Sequence, residues 1–317
     1  MIYNLLKGTD IKVSKVCFGA LSISPLQSDM TRRQAVDLLA FAFDHGVNFI
    51  DTAEIYDNYD IISEFLDTCR PAEAVITTKC YAYNAEMAEK SLTKALKALK
   101  RDYIDIFMLH EQESIYTLRG HAEAIEYFMK AKEKGYIRAF GISTHTVDAV
   151  RSASLMNEID VIHPIINMDG VGILGGGRDD MIRAIKRAGQ EFGKGIYAMK
   201  ALGGGHLITQ PQKAIDFVNS IDEVSSIAIG MQSEDEVTAD IDMVLGNDVP
   251  GDVKSRLNKQ PRRIDIEKWC DLCGACVDRC IQNALSIEGD SVKVDMTRCN
   301  LCSYCVGVCP HFYIKVV

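Results

Sequence analysis

Short apolar runs alternate with longer amphipathic stretches over the first ~250 residues of this 317-residue chain, a length that bears on the fold. The apolar runs lie at 13–19, 48–53, 74–80, 103–110, 139–144, 161–167, 195–202 and 225–231. Several are apolar throughout, as strands covered on both faces must be. The stretches 85–100, 121–134, 179–191 and 234–245 instead repeat apolar positions at helical spacing. In the first of these, Met87, Leu92, Leu96 and Leu99 share a face opposite Lys and Glu. Strand–helix alternation of this kind predicts a parallel α/β fold. Eight units in about 250 residues is the count and length of a (β/α)8 TIM barrel. The rival is an open doubly wound sheet, which carries a G-x-G-x-x-G turn after its first strand. Here the first strand runs into Cys17-Phe18-Gly19-Ala20-Leu21, without that turn.

The pattern changes after Leu245. Gly246-Asn247-Asp248-Val249-Pro250-Gly251 is turn-rich and is followed by a polar stretch, 254–263. A domain boundary is expected near Pro261, separating a barrel over 1–260 from a small α+β domain over 261–317.

Eight of the eleven cysteines fall in that second domain, in two copies of one spacing. Cys270-x-x-Cys273-x-x-Cys276-x-x-x-Cys280 is followed by Cys299-x-x-Cys302-x-x-Cys305-x-x-x-Cys309-Pro310. Disulfides suit short secreted chains, and zinc sites use paired Cys-x-x-Cys with a longer gap and often His. Soft thiolates in runs of three plus one suit iron–sulfur clusters better. The tail resembles a bacterial-type two-cluster ferredoxin, with Ile281 where the first run would carry Pro. In such ferredoxins the fourth Cys of each run ligates the other cluster. The resemblance therefore implies one [4Fe–4S] cluster on Cys270, Cys273, Cys276 and Cys309, and a second on Cys299, Cys302, Cys305 and Cys280. Cys17, Cys69 and Cys80 lie outside the runs and read as buried structural thiols.

A net charge of −9 argues against a nucleic-acid or anionic-membrane partner. No apolar run reaches transmembrane length and no targeting segment is visible. Thiols that must stay reduced during cluster assembly point to the cytoplasm.

Barrel active sites form at the C-terminal ends of the strands. The second strand there delivers Asp51 and, five residues on, Tyr56; the third delivers Lys79; the fourth delivers His110. Each alone is an ordinary cap, ion pair or core residue, but four at three successive strand ends make a coherent set. An ammonium beside a phenol lowers its pKa. Lys79 could do this for Tyr56, with Asp51 holding Lys79 and His110 orienting a substrate oxygen. Tyr56 would then protonate an alkoxide or, in reverse, remove an alcohol proton.

Ile50-Asp51-Thr52-Ala53-Glu54-Ile55-Tyr56, Thr78-Lys79, the run from Asp102 to His110 and Gly141-Ile142-Ser143-Thr144 together resemble the aldo-keto reductase superfamily. Joined to the tail, they resemble its iron–sulfur branch. The resemblance covers roughly Met1 to Leu245. It implies a barrel acting on carbonyl or alcohol substrates, the tetrad Asp51, Tyr56, Lys79 and His110, and a nicotinamide cofactor across the mouth. It also places Ser143 at the nicotinamide carboxamide, with Thr144 standing where an Asn is usual. Asn167 matches, His163 replaces a Gln, and Met199 replaces a ring-stacking Tyr. Lys200 with Gly203-Gly204-Gly205 could meet phosphates through charge and backbone N–H groups. So could the helix N-terminus after Gly230, around Ser233. Glu234, Asp235 and Glu236 stand where NADPH-specific relatives carry basic residues, which disfavours NADPH and leaves NADH, a flavin phosphate in the mouth, or no stable nucleotide.

Hydride moves two electrons at once, whereas a cubane moves one, and a flavin can convert between the two modes. The expected activity is an oxidoreductase of the aldo-keto reductase type, interconverting a small carbonyl and its alcohol in the mouth. Electrons would pass through the clusters to or from a ferredoxin-like partner. The alternatives are an NADH-dependent reductase with structural or redox-sensing clusters, and an electron-transfer subunit with a non-catalytic barrel. Tyr81, Tyr83, Glu111 and His145 are expected to line the mouth.

Overall fold

The computed structural model describes every residue except Ala72, Gln260, Pro261, Asn300 and Val317, so the boundary expected near Pro261 falls outside the described residues. An antiparallel hairpin, β1 (Tyr3–Leu5) with β2 (Lys12–Ser14), precedes the barrel. Eight parallel strands follow: β3 (Val16–Gly19), β4 (Phe49–Asp51), β5 (Val75–Cys80), β6 (Ile104–Leu109), β7 (Ile137–Thr144), β8 (Val161–Pro164), β9 (Gly195–Met199) and β10 (Val224–Ile229). Each pairs with the next, and β10 returns to β3 to close the barrel.

Side chains fill the barrel. Cys17, Phe49, Val75, Ile106, Met108, Ala139, Val161 and Tyr197 form an inner cluster with Leu6, Ile11 and Val13 from the hairpin, which plugs the N-terminal end. The sequence reading did not anticipate this hairpin. It joined β2 to β3 as one strand, 13–19, but the chain bends at Lys15, where the Ser14 hydroxyl bonds to the Val16 carbonyl at 2.6 Å. Several strands end earlier than their apolar runs, β8 and β9 by three residues each. β8 ends at Pro164, although Ile165 and Ile166 still donate to the Thr144 and Met199 carbonyls at 3.0 and 3.1 Å. β9 stops at Met199 because Lys200 takes a left-handed conformation (φ 61) and turns the chain away.

The outer helices bury the faces their periodicity predicts. In Ala85–Leu99, Ala88, Leu92, Ala95 and Leu99 are buried, while Met87 and Leu96, expected on the same face, are half-buried against the core. Asn84 caps the first turn by accepting from the Met87 N–H at 2.9 Å, and Lys100 closes the helix in a left-handed conformation. No helix among the described residues is long and apolar enough to cross a membrane. Cys17 and Cys80 are buried, as expected; Cys69 is exposed, at the last position of the helix Tyr59–Cys69, so it is no core thiol.

The tail is built from two similar halves. β11 (Ile264–Ile266) pairs antiparallel with β14 (Ile314–Val316), and β12 (Leu285–Glu288) with β13 (Ser291–Val294). One short helix, Ala275–Arg279, lies in the first cysteine run and another, Tyr304–Val308, in the second. The tail packs on the barrel through Phe312, Ile314 and Val316, all nearly fully buried.

Candidate functional site

Asp51 closes β4, Lys79 lies near the end of β5, and His110 follows β6. Tyr56 ends a single 3-10 turn, Glu54–Tyr56, beyond β4. The structure brings all four to the C-terminal mouth. Lys79 Nζ donates to Asp51 Oδ1 at 2.7 Å and to the Thr52 carbonyl at 2.8 Å, and it lies 5.2 Å from the centroid of the Tyr56 ring. The Tyr56 and His110 rings meet edge-on at 5.9 Å. Tyr81 stacks on His110 at 4.7 Å while its hydroxyl donates to Glu111 at 2.6 Å. The buried His110 Nδ1 has no hydrogen-bond partner among the described residues.

Asp51 is held from its other side by a residue the sequence reading missed. Tyr197 on β9 points into the barrel and donates its hydroxyl to Asp51 Oδ2 at 2.7 Å. A buried tyrosine needs a partner for its hydroxyl; that rule applied to the apolar run 195–202 was the signal available. His163 stacks on Tyr197 at 3.8 Å, and its Nδ1 meets the Tyr197 carbonyl at 2.7 Å.

The electrostatics follow from these contacts. Burial opposes ionisation of Asp51, but Lys79, His163 and the Tyr197 hydroxyl outweigh it and hold the carboxyl below its usual range. Burial pushes His110 well below an ordinary histidine, with Lys79 acting in the same direction, so its imidazole is neutral near pH 7. Burial also lowers His163 to about 4, against the pull of Asp51. The expected lowering of the Tyr56 pKa by Lys79 is not what the structure shows. Burial raises it well above the free value, and the Asp51 and Glu111 carboxylates raise it further. Lys79 faces the ring and spends its hydrogen bonds on Asp51 and Thr52, so Tyr56 stays a protonated donor.

The residues expected at a nicotinamide dinucleotide are mostly engaged within the chain. Ser143 Oγ accepts from the Glu111 N–H at 3.0 Å, and the Thr144 hydroxyl accepts from the Thr146 N–H at 2.9 Å. Asn167 spends its amide on both backbone groups of Val171, each at 2.9 Å. Ser233 caps the helix Glu234–Leu245, and Gly230 sits against Ser22. In the acidic turn, Asp235 pairs with Arg256 and Glu236 accepts from the Gln232 N–H. The Gly203–Gly205 turn, expected to be open to phosphate, is covered by Phe312 and Val316, and Lys200 Nζ lies over the Phe312 ring. With the tail seated, these residues do not fit a dinucleotide. Lys200 is lowered to about 7 by burial and then by Lys315, while Glu267 and Glu111 oppose the shift. Of the other expected mouth residues, Glu111 and Tyr81 lie beside His110, His145 lies 6.3 Å from the Phe312 ring, and Tyr83 is exposed.

The tail holds two small pockets lined by cysteines. Cys270, Cys273, Cys276 and Cys309 line the first; Cys280, Cys299, Cys302 and Cys305 line the second. Among the described residues no three His, Cys, Asp or Glu side chains converge as a single ion requires. Four cysteines line each pocket, the donor set an iron–sulfur cubane takes. Buried Glu267 and Lys315 pair on the barrel side of this domain. Tyr313 feels both Glu111 at the mouth and the Cys309 and Cys270 thiols.

The sequence pattern of the Aldo/keto reductase family matches residues 15–245, most of the chain. The chain belongs to that family. Residues 269–312 match a 4Fe-4S dicluster domain. Among curated proteins, L-galactose dehydrogenase of Arabidopsis thaliana is 24% identical over 273 residues, 74% of this chain and 86% of its own length. NADH-specific methylglyoxal reductase of Escherichia coli is 26% identical over 180 residues, 49% of this chain and 55% of its own. Among solved structures, an aldo-keto reductase of Pseudomonas aeruginosa superposes with a TM-score of 0.67 at 23% identity, covering 77% of this chain and 94% of its own. The holo form of AKR11C1 from Bacillus halodurans gives 0.66 at 20% identity, covering 82% and 96%. The protein is thus an oxidoreductase of the aldo-keto reductase type with an iron–sulfur tail.

Proposed function

We propose that the barrel mouth interconverts a small carbonyl compound and its alcohol, and that the electrons travel through the tail to or from a ferredoxin-like carrier protein. The observation that carries this reading is the joining of two sites. The side chains Asp51, Lys79, Tyr56 and His110 converge at one mouth, and a domain with two thiol quartets is packed against it. Iron–sulfur clusters held by those quartets would supply one-electron steps.

The chain's own residues supply the rest. Neutral His110 hydrogen-bonds the substrate oxygen and fixes its direction. Tyr56 gives its phenolic proton to that oxygen as negative charge develops, and takes one back in the reverse direction. Asp51, held by Tyr197, keeps the Lys79 ammonium in place over the Tyr56 ring. Reduction forms one O–H and one C–H bond and takes two electrons: Tyr56 supplies the proton on oxygen, and the hydrogen on carbon would come as hydride from a bound flavin, which could collect the two electrons one at a time and a proton from solvent.

The test is turnover of an aldehyde and ketone panel by anaerobic, cluster-loaded protein, driven either by reduced ferredoxin or by NADH. Ferredoxin-driven turnover that Tyr56→Phe abolishes supports the reading. Turnover that survives Tyr56→Phe removes the tetrad from the mechanism. Turnover with NADH alone favours a second reading, consistent with the Escherichia coli relative, in which the clusters are structural or redox-sensing.

A further inference from the structure

In barrels of this kind, phosphate groups are commonly held by the loops after the seventh and eighth strands. After the seventh strand here, β9, the chain runs through Lys200 to the Gly203–Gly205 turn. A lysine and three glycines would make a phosphate cradle, but the chain's own tail sits in it.

Phe312 is 3% exposed, and its ring lies between two loops. A Cβ on Gly172 would come within 2.0 Å of Phe312 Cε2, and one on Gly204 within 2.4 Å of Cε1. A Cβ on Gly205 would meet the Val316 carbonyl oxygen at 2.3 Å. All three glycines also adopt left-handed backbone, with φ of 79, 61 and 92. Space and conformation therefore both require glycine at these positions. The Lys200 ammonium stands 5.2 Å from the Phe312 ring centroid, where the π-face takes the place of an anion. The domain is pinned at two more points, by His206 Nδ1 against the Ser303 carbonyl at 3.3 Å and by the buried Lys315–Glu267 pair. Further down the groove, Asn167 and Ser143 are committed to internal backbone partners.

We propose that Gly172 and the Gly203–Gly205 turn form a socket for Phe312 and Val316, and that the docked tail and a nicotinamide dinucleotide exclude each other. This rests on the reading that electrons enter through the tail. It deepens that reading by assigning the groove to the electron-carrying domain, leaving no seat for a hydride-carrying dinucleotide.

Equilibrium dialysis of NADH and NADPH against the anaerobic, cluster-loaded full chain tests this. The wild type is expected to show no saturable binding up to about 1 mM, the upper end of ordinary substrate affinities. Phe312→Ala, checked for unchanged iron content, is expected to gain affinity at least about tenfold. Saturable wild-type binding, or no gain in Phe312→Ala, overturns the proposal. Gly204→Ala gives an independent reading: the added methyl should expel the ring and raise amide hydrogen exchange over residues 312–316. Unchanged protection there overturns the socket. These are binding and exchange measurements, so an inactive mouth would fail the functional reading without altering them.

Discussion

Asp51 and Tyr197, 146 positions apart, meet inside the barrel: the Tyr197 hydroxyl donates to Asp51 Oδ2 at 2.7 Å while Lys79 occupies Oδ1 at the same distance. The carboxylate is therefore oriented by two donors before any substrate arrives. Tyr197→Phe deletes one charge-assisted buried hydrogen bond and is expected to cost roughly 1.5–3 kcal/mol of stability. Denaturant unfolding checks the loss; an unchanged midpoint would mean that Asp51 does not depend on Tyr197.

Lys79 and Asp51 are both almost fully buried. Lys79→Met leaves a carboxylate without its counter-ion, and removing one partner of such a pair costs about 3–5 kcal/mol. The double variant Lys79→Met with Asp51→Asn should recover part of that loss. A double variant no more stable than Lys79→Met would show that the charge left behind is not the source of the penalty.

Tyr56→Phe removes only the proton donor. Turnover is expected to fall by roughly a hundredfold to ten-thousandfold, the usual range for a general acid. Cluster absorbance should be unchanged, since Tyr56 lies at the barrel mouth and the thiols lie in the tail.

His163 has a folded pKa of about 4, below its free value of 6.5. Between those values the unfolded chain binds more protons than the folded one, so stability falls as pH drops from about 6.5 toward 4. His145, lowered to about 3 by burial, contributes in the same direction. Thermal unfolding across this window should show the slope, and His163→Gln should flatten it. The same slope in the variant would assign the effect to other groups.

Each thiol quartet mixes the two cysteine runs. Cys280→Ser and Cys299→Ser should therefore perturb one and the same cluster, and Cys309→Ser and Cys270→Ser the other. Iron content of about eight per chain before substitution, with matching electron paramagnetic resonance changes within each pair, would bear this out. Matching changes for Cys280→Ser and Cys270→Ser would mean that each run serves its own cluster.

Much of the barrel was legible because its signals are local. Each buried strand is a short apolar run and each outer helix a 3.6-residue period, so all eight strands were placed. Two of the errors at their ends came from single residues: Lys15 and Lys200 each redirect the chain inside an apolar run. The tetrad was legible because polar groups at strand ends interrupt apolar sequence. The environment of Tyr56 was not, because its protonation depends on the burial and carboxylates around it and on which way Lys79 points.

Residue order alone determined the strand–helix repeat, the cysteine spacing and the identities at the mouth, since periodicity and spacing act over a few residues. Only the tertiary structure decided that Tyr197 supports Asp51 and that Phe312 fills the glycine turn after β9. Both are contacts between distant segments, set by closing the barrel and docking the tail, and no local period encodes them. The same glycine turn could accept a phosphate or an aromatic ring, and only the packed domain determines which is present.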